Sequence, residues 1–343
     1  MIASIQFRHF KALRATGLQL QPFNLIIGPN GSGKSSLIQA ILRFRNLAQL
    51  PLSSEPPGAA AACTGPELIF RFIPPFEDVE ARLCGVSESR CDQLNVTSSP
   101  PDAWDRLRAK LMDVRVYLFD HYAMAMPSPR VENAELMTNG GNLAAVLAAR
   151  REKSAEAFAA IEAETVRLMP EFSRIDLRDA GDGKIELGLE LREDGEVLPA
   201  DSLSQGNLYL LALLVLGYDP APPAIVCIED LDRGIHPRLL RQARDLLYRL
   251  SYPDAYALRR EAVQVIATTH SPYLLDQFRD HPEEVVIAHK HGRAATFERL
   301  IDRPDLNDLL QEGSLGEMWY AGILGGVPDE EADLRPGAAR IEP

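Results

Sequence analysis

Apolar positions in the first 27 residues follow two patterns. Ile2, Ile5, Phe7 and Phe10 alternate in part with polar residues, whereas Leu18, Leu20, Phe23, Leu25, Ile26 and Ile27 close up into a nearly continuous run. Both patterns predict strands, the second one covered on both faces. A glycine-rich turn follows, and a helix is predicted from about Lys34 to Phe44. Residues 48–66, with Pro51, Pro56, Pro57 and Gly58, have the composition of a loop. Next come a predicted strand (Leu68–Phe72), a polar loop around Thr97–Pro101, a short helix (Asp102–Leu111) and a strand (Val114–Phe119). From Gly141 the apolar spacing of three and four residues predicts helix until Pro170 stops it. Asp182-Gly183 and Asp194-Gly195 then predict tight turns flanking the alternation Ile185, Leu187, Leu189, Leu191.

Beyond Leu203 the pattern is helix (Asn207–Leu216), strand (Ala224–Ile228), helix (Pro237–Leu250), strand (Val263–Ala267), short helix (Pro272–Phe278) and strand (Val285–His289). Such alternation predicts a mostly parallel sheet with helices on both faces. The two ends of the chain are therefore expected to share one α/β core, residues 1–47 with 203–327. Residues 48–140 are expected as an inserted side lobe, 141–202 as a helical and hairpin segment, and 328–343 as a flexible tail.

Composition narrows the classes. In 343 residues, 46% hydrophobic and 25% charged is ordinary globular usage, which excludes wholesale disorder and fibrous repeats. Thirty-six Lys and Arg against 49 Asp and Glu give a net charge of −13, which opposes non-specific adhesion to nucleic acid or anionic membrane. Cys63, Cys84, Cys91 and Cys227 are irregularly spaced, so they predict reduced thiols and no zinc site. The longest apolar run, Leu208–Gly217, is about half of the ~20 residues a spanning helix needs. A cytoplasmic protein is expected.

Four stretches carry chemistry. Gly28-Pro29-Asn30-Gly31-Ser32-Gly33-Lys34-Ser35 fits the phosphate-loop pattern, after a buried strand and before a helix, the context in which that pattern is specific. Glycines there let successive N–H groups face a phosphate, the helix N-terminus adds positive potential, the lysine reaches the outer phosphates and the serine hydroxyl suits magnesium. Gly28, Asn30, Gly31, Ser32, Gly33, Lys34, Ser35 and Ser36 are the candidate phosphate contacts. The strand Ala224–Ile228 delivers Glu229 and Asp230 at its carboxyl end, where ligands of open α/β sheets bind. One acid is a candidate to hold magnesium together with Ser35, the other to orient and deprotonate an attacking water. Ser204 and Gly206 open a helix whose N-terminus offers donors to an anion, and His270 ends a further strand. Taken singly, the last three features are ordinary: a charged turn, a helix cap and a structural histidine.

The order phosphate loop, Leu-Ser-x-Gly, acidic strand end, Thr-His-Ser-Pro resembles the ABC-type ATPase heads of the SMC, RecF and OLD class. Gly234-Ile235-His236-Pro237 after the acids resembles more closely the compact bacterial predicted AAA-family ATPases. Gly141–Leu147 and Gly313–Glu317 also look familial. The resemblance implies a P-loop NTPase fold with a mostly parallel central sheet, an antiparallel β side lobe and a helical subdomain. It implies ATP and Mg2+ as ligands, Lys34 and Ser35 on phosphates and metal, Glu229 on the metal, Asp230 as the catalytic carboxylate and His270 as the switch histidine. It further implies that Ser204 and Gly206 close over the ATP of a second copy in a two-fold homodimer.

The chain departs from the family in places. It reads Glu229-Asp230-Leu231-Asp232 where Asp-Glu-Pro-Glu or Glu-Glu-Pro-Glu is usual, and the shortened acid implies slow turnover. Gln205 and Asn207 differ from the transporter signature Leu-Ser-Gly-Gly-Gln, which argues against membrane transport. The Q-loop glutamine has no assignable position. Long heptad arms are absent, and the stretch after His270 lacks a spaced acidic nuclease cluster, so a separate effector protein is expected, in bacterial defence or DNA maintenance. Residues 1–50 carry Arg8, Lys11, Arg14, Lys34, Arg43 and Arg45 and no acid, which leaves DNA engagement open alongside internal pairing of those charges. The alternative reading is a non-hydrolysing, ATP-dependent binding module for a toxin or nuclease.

Overall fold

The computed structural model describes residues 1–50, 63, 65–87, 90–100 and 102–325. The expected tail 328–343 and most of the expected loop 48–66 lie outside these residues. Strands β1 (Ile2–Phe10) and β2 (Leu13–Gln19) form a hairpin, and β3 (Phe23–Ile27) leads into α1 (Lys34–Ala48). Next come β4 (Glu67–Phe72), β5 (Glu80–Ser87), β6 (Arg90–Thr97), α2 (Ala103–Leu111), β7 (Val114–Tyr117), α3 (His121–Ala125) and β8 (Ser128–Pro129). The middle of the chain supplies α4 (Leu143–Lys153), α5 (Ala155–Leu168), β9 (Phe172–Gly181), β10 (Lys184–Leu191) and β11 (Val197–Pro199). The last part supplies α6 (Gln205–Gly217), β12 (Ile225–Ile228), α7 (Leu240–Ser251), β13 (Gln264–Thr269), α8 (Pro272–Asp276), β14 (Val285–His291), β15 (Ala294–Arg299), α9 (Leu306–Glu312) and α10 (Leu315–Tyr320).

The central sheet runs β15-β14-β3-β13-β12-β7 and is parallel throughout except for the edge strand β15. Its strands are continuously apolar because their alternate residues enter two cores. Phe23, Leu25 and Ile27 of β3 pack in one cluster with α4 to α7, while Ile26 packs in the other with Leu37, Ile41 and Phe44 of α1. Helix α6 is buried on nearly every side, from Leu208 to Gly217, which is why its sequence shows no polar face. Each Leu→Ala change there should cost ~2–5 kcal/mol. Among the described residues no helix is long and apolar enough to cross a membrane.

The second sheet, β2-β1-β4-β5-β6, is wholly antiparallel and covers the α1 face. Three strands join other sheets than the expected partition assigns. β1 and β2, placed by sequence in residues 1–47 of the core, pair with β4 in the antiparallel sheet; β7, placed in the 48–140 lobe, pairs with β12 in the central one. Local alternation distinguishes a strand from a helix but not which sheet receives it. The helical run from Gly141 is also two helices, broken at Ser154, whose φ of −140° and ψ of 60° are not helical.

The thiol expectation needs correction. Cys63 and Cys84 are joined in a disulfide: the β4–β5 pairing sets Cys84 opposite Glu67, the first residue of β4 and four positions after Cys63. Cys227 is free and buried, and its burial pushes the thiol up to about 12.

Candidate functional site

Four parallel strands end along one edge of the central sheet. Ile27 lies opposite Thr269, Ile228 opposite Ala267, and Ile228 opposite Tyr117. The residues that follow these strands therefore converge: the phosphate loop after β3, Glu229 and Asp230 after β12, His270 after β13, and Leu118 to Asp120 after β7.

The loop wraps around its own lysine. Gly33, just before α1, has a φ of 90°, a conformation that costs a residue with a Cβ about 1 kcal/mol or more. Lys34 is 7% exposed and donates from Nζ to the carbonyl oxygens of Gly28 at 2.8 Å and Pro29 at 3.0 Å. Its desolvation lowers the ammonium to about 8, and the nearby carboxylates of Asp230 and Glu229 oppose the shift only in part. Ser32 is buried and its Oγ has no hydrogen-bond partner. Asn30 and Gly31 are exposed at the tip, and Ser36 is half-buried on α1.

Ser35 Oγ donates to Glu229 Oε2 at 2.8 Å, joining residues 194 positions apart. Asp230 has a φ of 52°, a left-handed conformation uncommon outside glycine. Its N–H donates to Thr268 Oγ1 at 3.0 Å, and the next N–H, of Leu231, donates to the Thr268 carbonyl at 2.9 Å. Thr269 donates its hydroxyl to Asp232 and accepts from the N–H of Ser271 at 2.9 Å. Thr268 and Thr269 thus set the acidic turn, a role the sequence reading missed although two threonines closing an apolar strand were visible. His270 is exposed; partial desolvation, with the positive charge of Lys34, holds its pKa below the ordinary value.

Ser204 caps α6 by accepting from Asn207 N–H at 3.1 Å, and it is exposed. Gly206 is buried against the loop that follows the acids: a Cβ there would stand 2.5 Å from the carbonyl oxygen of Gly234. Gly206 therefore rests on the loop that follows Asp230, while Ser204 stays at the exposed start of the helix. The strand end Leu118–Asp120 was also missed, because β7 was read as part of the side lobe. Asp120 caps α3 by accepting from Tyr122 N–H at 3.0 Å, and Glu229 N–H donates to Tyr117 O at 2.9 Å.

The donor set suits a nucleotide with a hard cation. An orphaned buried hydroxyl, a buried lysine and a hydroxyl–carboxylate pair are gathered beside a helix N-terminus, and oxygen donors are what magnesium selects.

Comparisons with known proteins point the same way. Residues 124–276 match the family described as "AAA domain, putative AbiEii toxin, Type IV TA system", and residues 1–98 match the one described as "AAA ATPase domain". The SMC head domain from Thermotoga maritima is similar in structure, with a TM-score of 0.50 at 14% identity, over 87% of this chain and 98% of that one. The fold is that of the SMC head domain. A further similar structure is cbiO1 from Clostridium perfringens, part of the ABC transporter complex cbiONQ, with a TM-score of 0.40 at 12% identity over 93% and 94% of the two chains. No curated protein matches the chain. The two matched segments divide the motifs: residues 1–98 hold the phosphate loop, and residues 124–276 hold Ser204, Glu229, Asp230 and His270.

Proposed function

We propose that this head binds ATP with magnesium at the carboxyl edge of its central sheet, hydrolyses it slowly, and pairs with a second copy while ATP is bound. The observation that carries the reading is the Ser35–Glu229 hydrogen bond beside the buried Lys34, which brings distant segments to one point. Lys34 and the loop N–H groups hold the phosphates, with Gly28, Asn30, Gly31, Ser32, Gly33 and Ser36 around them. Ser35 and Glu229 hold magnesium, which when bound neutralises charge on the phosphate oxygens. Asp230 orients the attacking water and takes its proton; its left-handed backbone is the kind of outlier that functional turns retain. His270 stands where it can sense the outer phosphate.

Ser204 supports the dimer. Its hydroxyl is exposed at the N-terminus of a 13-residue helix, a ready anion site for a neighbour's nucleotide. Loss of the outer phosphate would remove contacts from both copies, which makes the pair a switch for a separate effector. The toxin–antitoxin wording of the family matched by residues 124–276 supports a place in a defence system. The basic N-terminal segment gives DNA less support. Arg8 pairs with Glu67 at 2.9 Å, Arg45 donates to Val114 O at 2.9 Å, Lys34 is within the loop and Lys11 is taken by Gln39.

The test is native mass with and without magnesium-ATP, alongside single-turnover phosphate release, for wild type and Asp230→Asn. Doubling of mass in both, with release only in wild type, is expected. A mass that ignores ATP removes the dimer, and ATP-dependent pairing without release in wild type leaves the non-hydrolysing module.

A further inference from the structure

The β14–β15 hairpin forms a wall of the phosphate loop. β14 runs parallel to β3 with Val285 opposite Leu25, Val286 opposite Ile26 and Ile287 opposite Ile27. Carried forward, that register brings Lys290 level with Asn30. Close approaches agree with it along the whole loop. A Cβ on Gly28 would stand 2.5 Å from the Ala288 carbonyl oxygen, one on Gly33 3.4 Å from Ala295 Cβ, and one on Gly31 3.7 Å from Lys290 Nζ. The hairpin's backbone and small side chains touch both ends of the loop, and of its three long cations, Lys290, Arg293 and Arg299, it is Lys290 that lies over the tip.

That cation is uncommitted. Lys290 is exposed, and among the described residues its ammonium has neither a hydrogen bond nor an ion pair. Two nearby groups are engaged: His289 Nε2 meets Glu298 Oε2 at 2.8 Å, and Lys11, from the β1–β2 turn, is held by Gln39. Lys34 differs again, since its Nζ is held inside the loop by two carbonyls. Nothing in the sequence singled out Lys290, which lies outside all four motifs and reaches the loop only through the strand pairing.

The geometry points to Lys290 as a second phosphate-binding lysine, reaching the phosphate chain of the nucleotide across Gly31. This rests on the ATP reading above. A charge-assisted contact of this kind discriminates by the number of phosphates, because the tip of the loop addresses the chain and not the base.

The experiment is equilibrium binding of ATP, ADP and AMP, with magnesium, to the full chain as wild type, Lys290→Ala, Lys290→Arg and Lys34→Ala, with melting temperatures as the check on folding. Lys290→Ala should lose about tenfold in ATP affinity, less for ADP and nothing for AMP, with Lys290→Arg close to wild type. Unchanged affinities would show a merely solvated hairpin lysine, and an equal loss for all three nucleotides would show an effect on base or fold; either overturns the inference while leaving the ATP site standing. Wild type that binds ATP no better than Lys34→Ala overturns the site reading itself.

Discussion

Gln264 and Glu284 sit at the amino end of the central sheet, and both are almost wholly buried. Gln264 accepts from Ile2 N–H at 2.9 Å and donates to Ile2 O at 2.8 Å and Gln21 O at 3.1 Å. Glu284 accepts from the hydroxyls of Tyr248 and Tyr252, and its desolvation pushes its carboxyl above the usual range. At the carboxyl end, a few residues away along the same strands, the polar groups are left in worse positions. Ser32 Oγ is orphaned, Lys34 is held near 8, and Asp230 occupies a left-handed conformation. The difference teaches which end is organised for stability and which for a ligand. Side chains whose polar groups already have partners, as Gln264 and Glu284 do, have little to offer a phosphate, whereas unsatisfied and strained groups are stabilised when one arrives.

Exchanging single side chains at the two ends should therefore break different properties. The largest effect is expected for Asp230→Asn, which should slow single-turnover phosphate release by roughly 10²–10⁴ while leaving ATP affinity and melting temperature near wild type. Asparagine tolerates the same backbone, so a large loss of stability instead would show that Asp230 is structural. Glu284→Ala should do the reverse. It leaves the buried hydroxyl of Tyr248 and the half-buried one of Tyr252 unpaired, costing about 3 kcal/mol in denaturant unfolding, with nucleotide affinity unchanged in the protein that remains folded.

A smaller effect comes from pH. With Lys34 at about 8, its ammonium is mostly present at pH 7 and mostly lost at pH 9, so ATP affinity should fall about tenfold across that interval. Stability should move the other way. The unfolded lysine keeps its proton up to about pH 10.4, so between pH 8 and that value the unfolded state binds more protons and the nucleotide-free fold gains stability as pH rises. An affinity flat from pH 7 to 9 would mean that Lys34 does not carry the phosphate contact. The Lys290→Ala comparison, about tenfold in ATP and nothing in AMP, sharpens the contrast further by asking whether the unpaired groups of the carboxyl end extend onto the hairpin.

Much of this edge was legible in the sequence because its parts are local. The phosphate loop carries its strand, its glycines and its helix in one stretch, and Glu229 and Asp230 follow a run that only a buried strand explains. The turns at Asp182-Gly183 and Asp194-Gly195 were legible for the same reason, since left-handed geometry is written into adjacent residues. What depends on strand pairing was not. The placement of β7 in the central sheet, the Cys63–Cys84 bond, the threonines that set the acidic turn and the approach of Lys290 to Gly31 each need a partner that no local pattern names.

The central claim is that the carboxyl edge is a magnesium-ATP site built around Lys34. Equilibrium titration of the wild-type chain with magnesium-ATP, beside Lys34→Ala, tests it most directly. The account predicts saturable binding of one nucleotide per chain in wild type, weakened about 100-fold or more in Lys34→Ala with the fold intact. Equal binding by both proteins, or none by wild type, would contradict it.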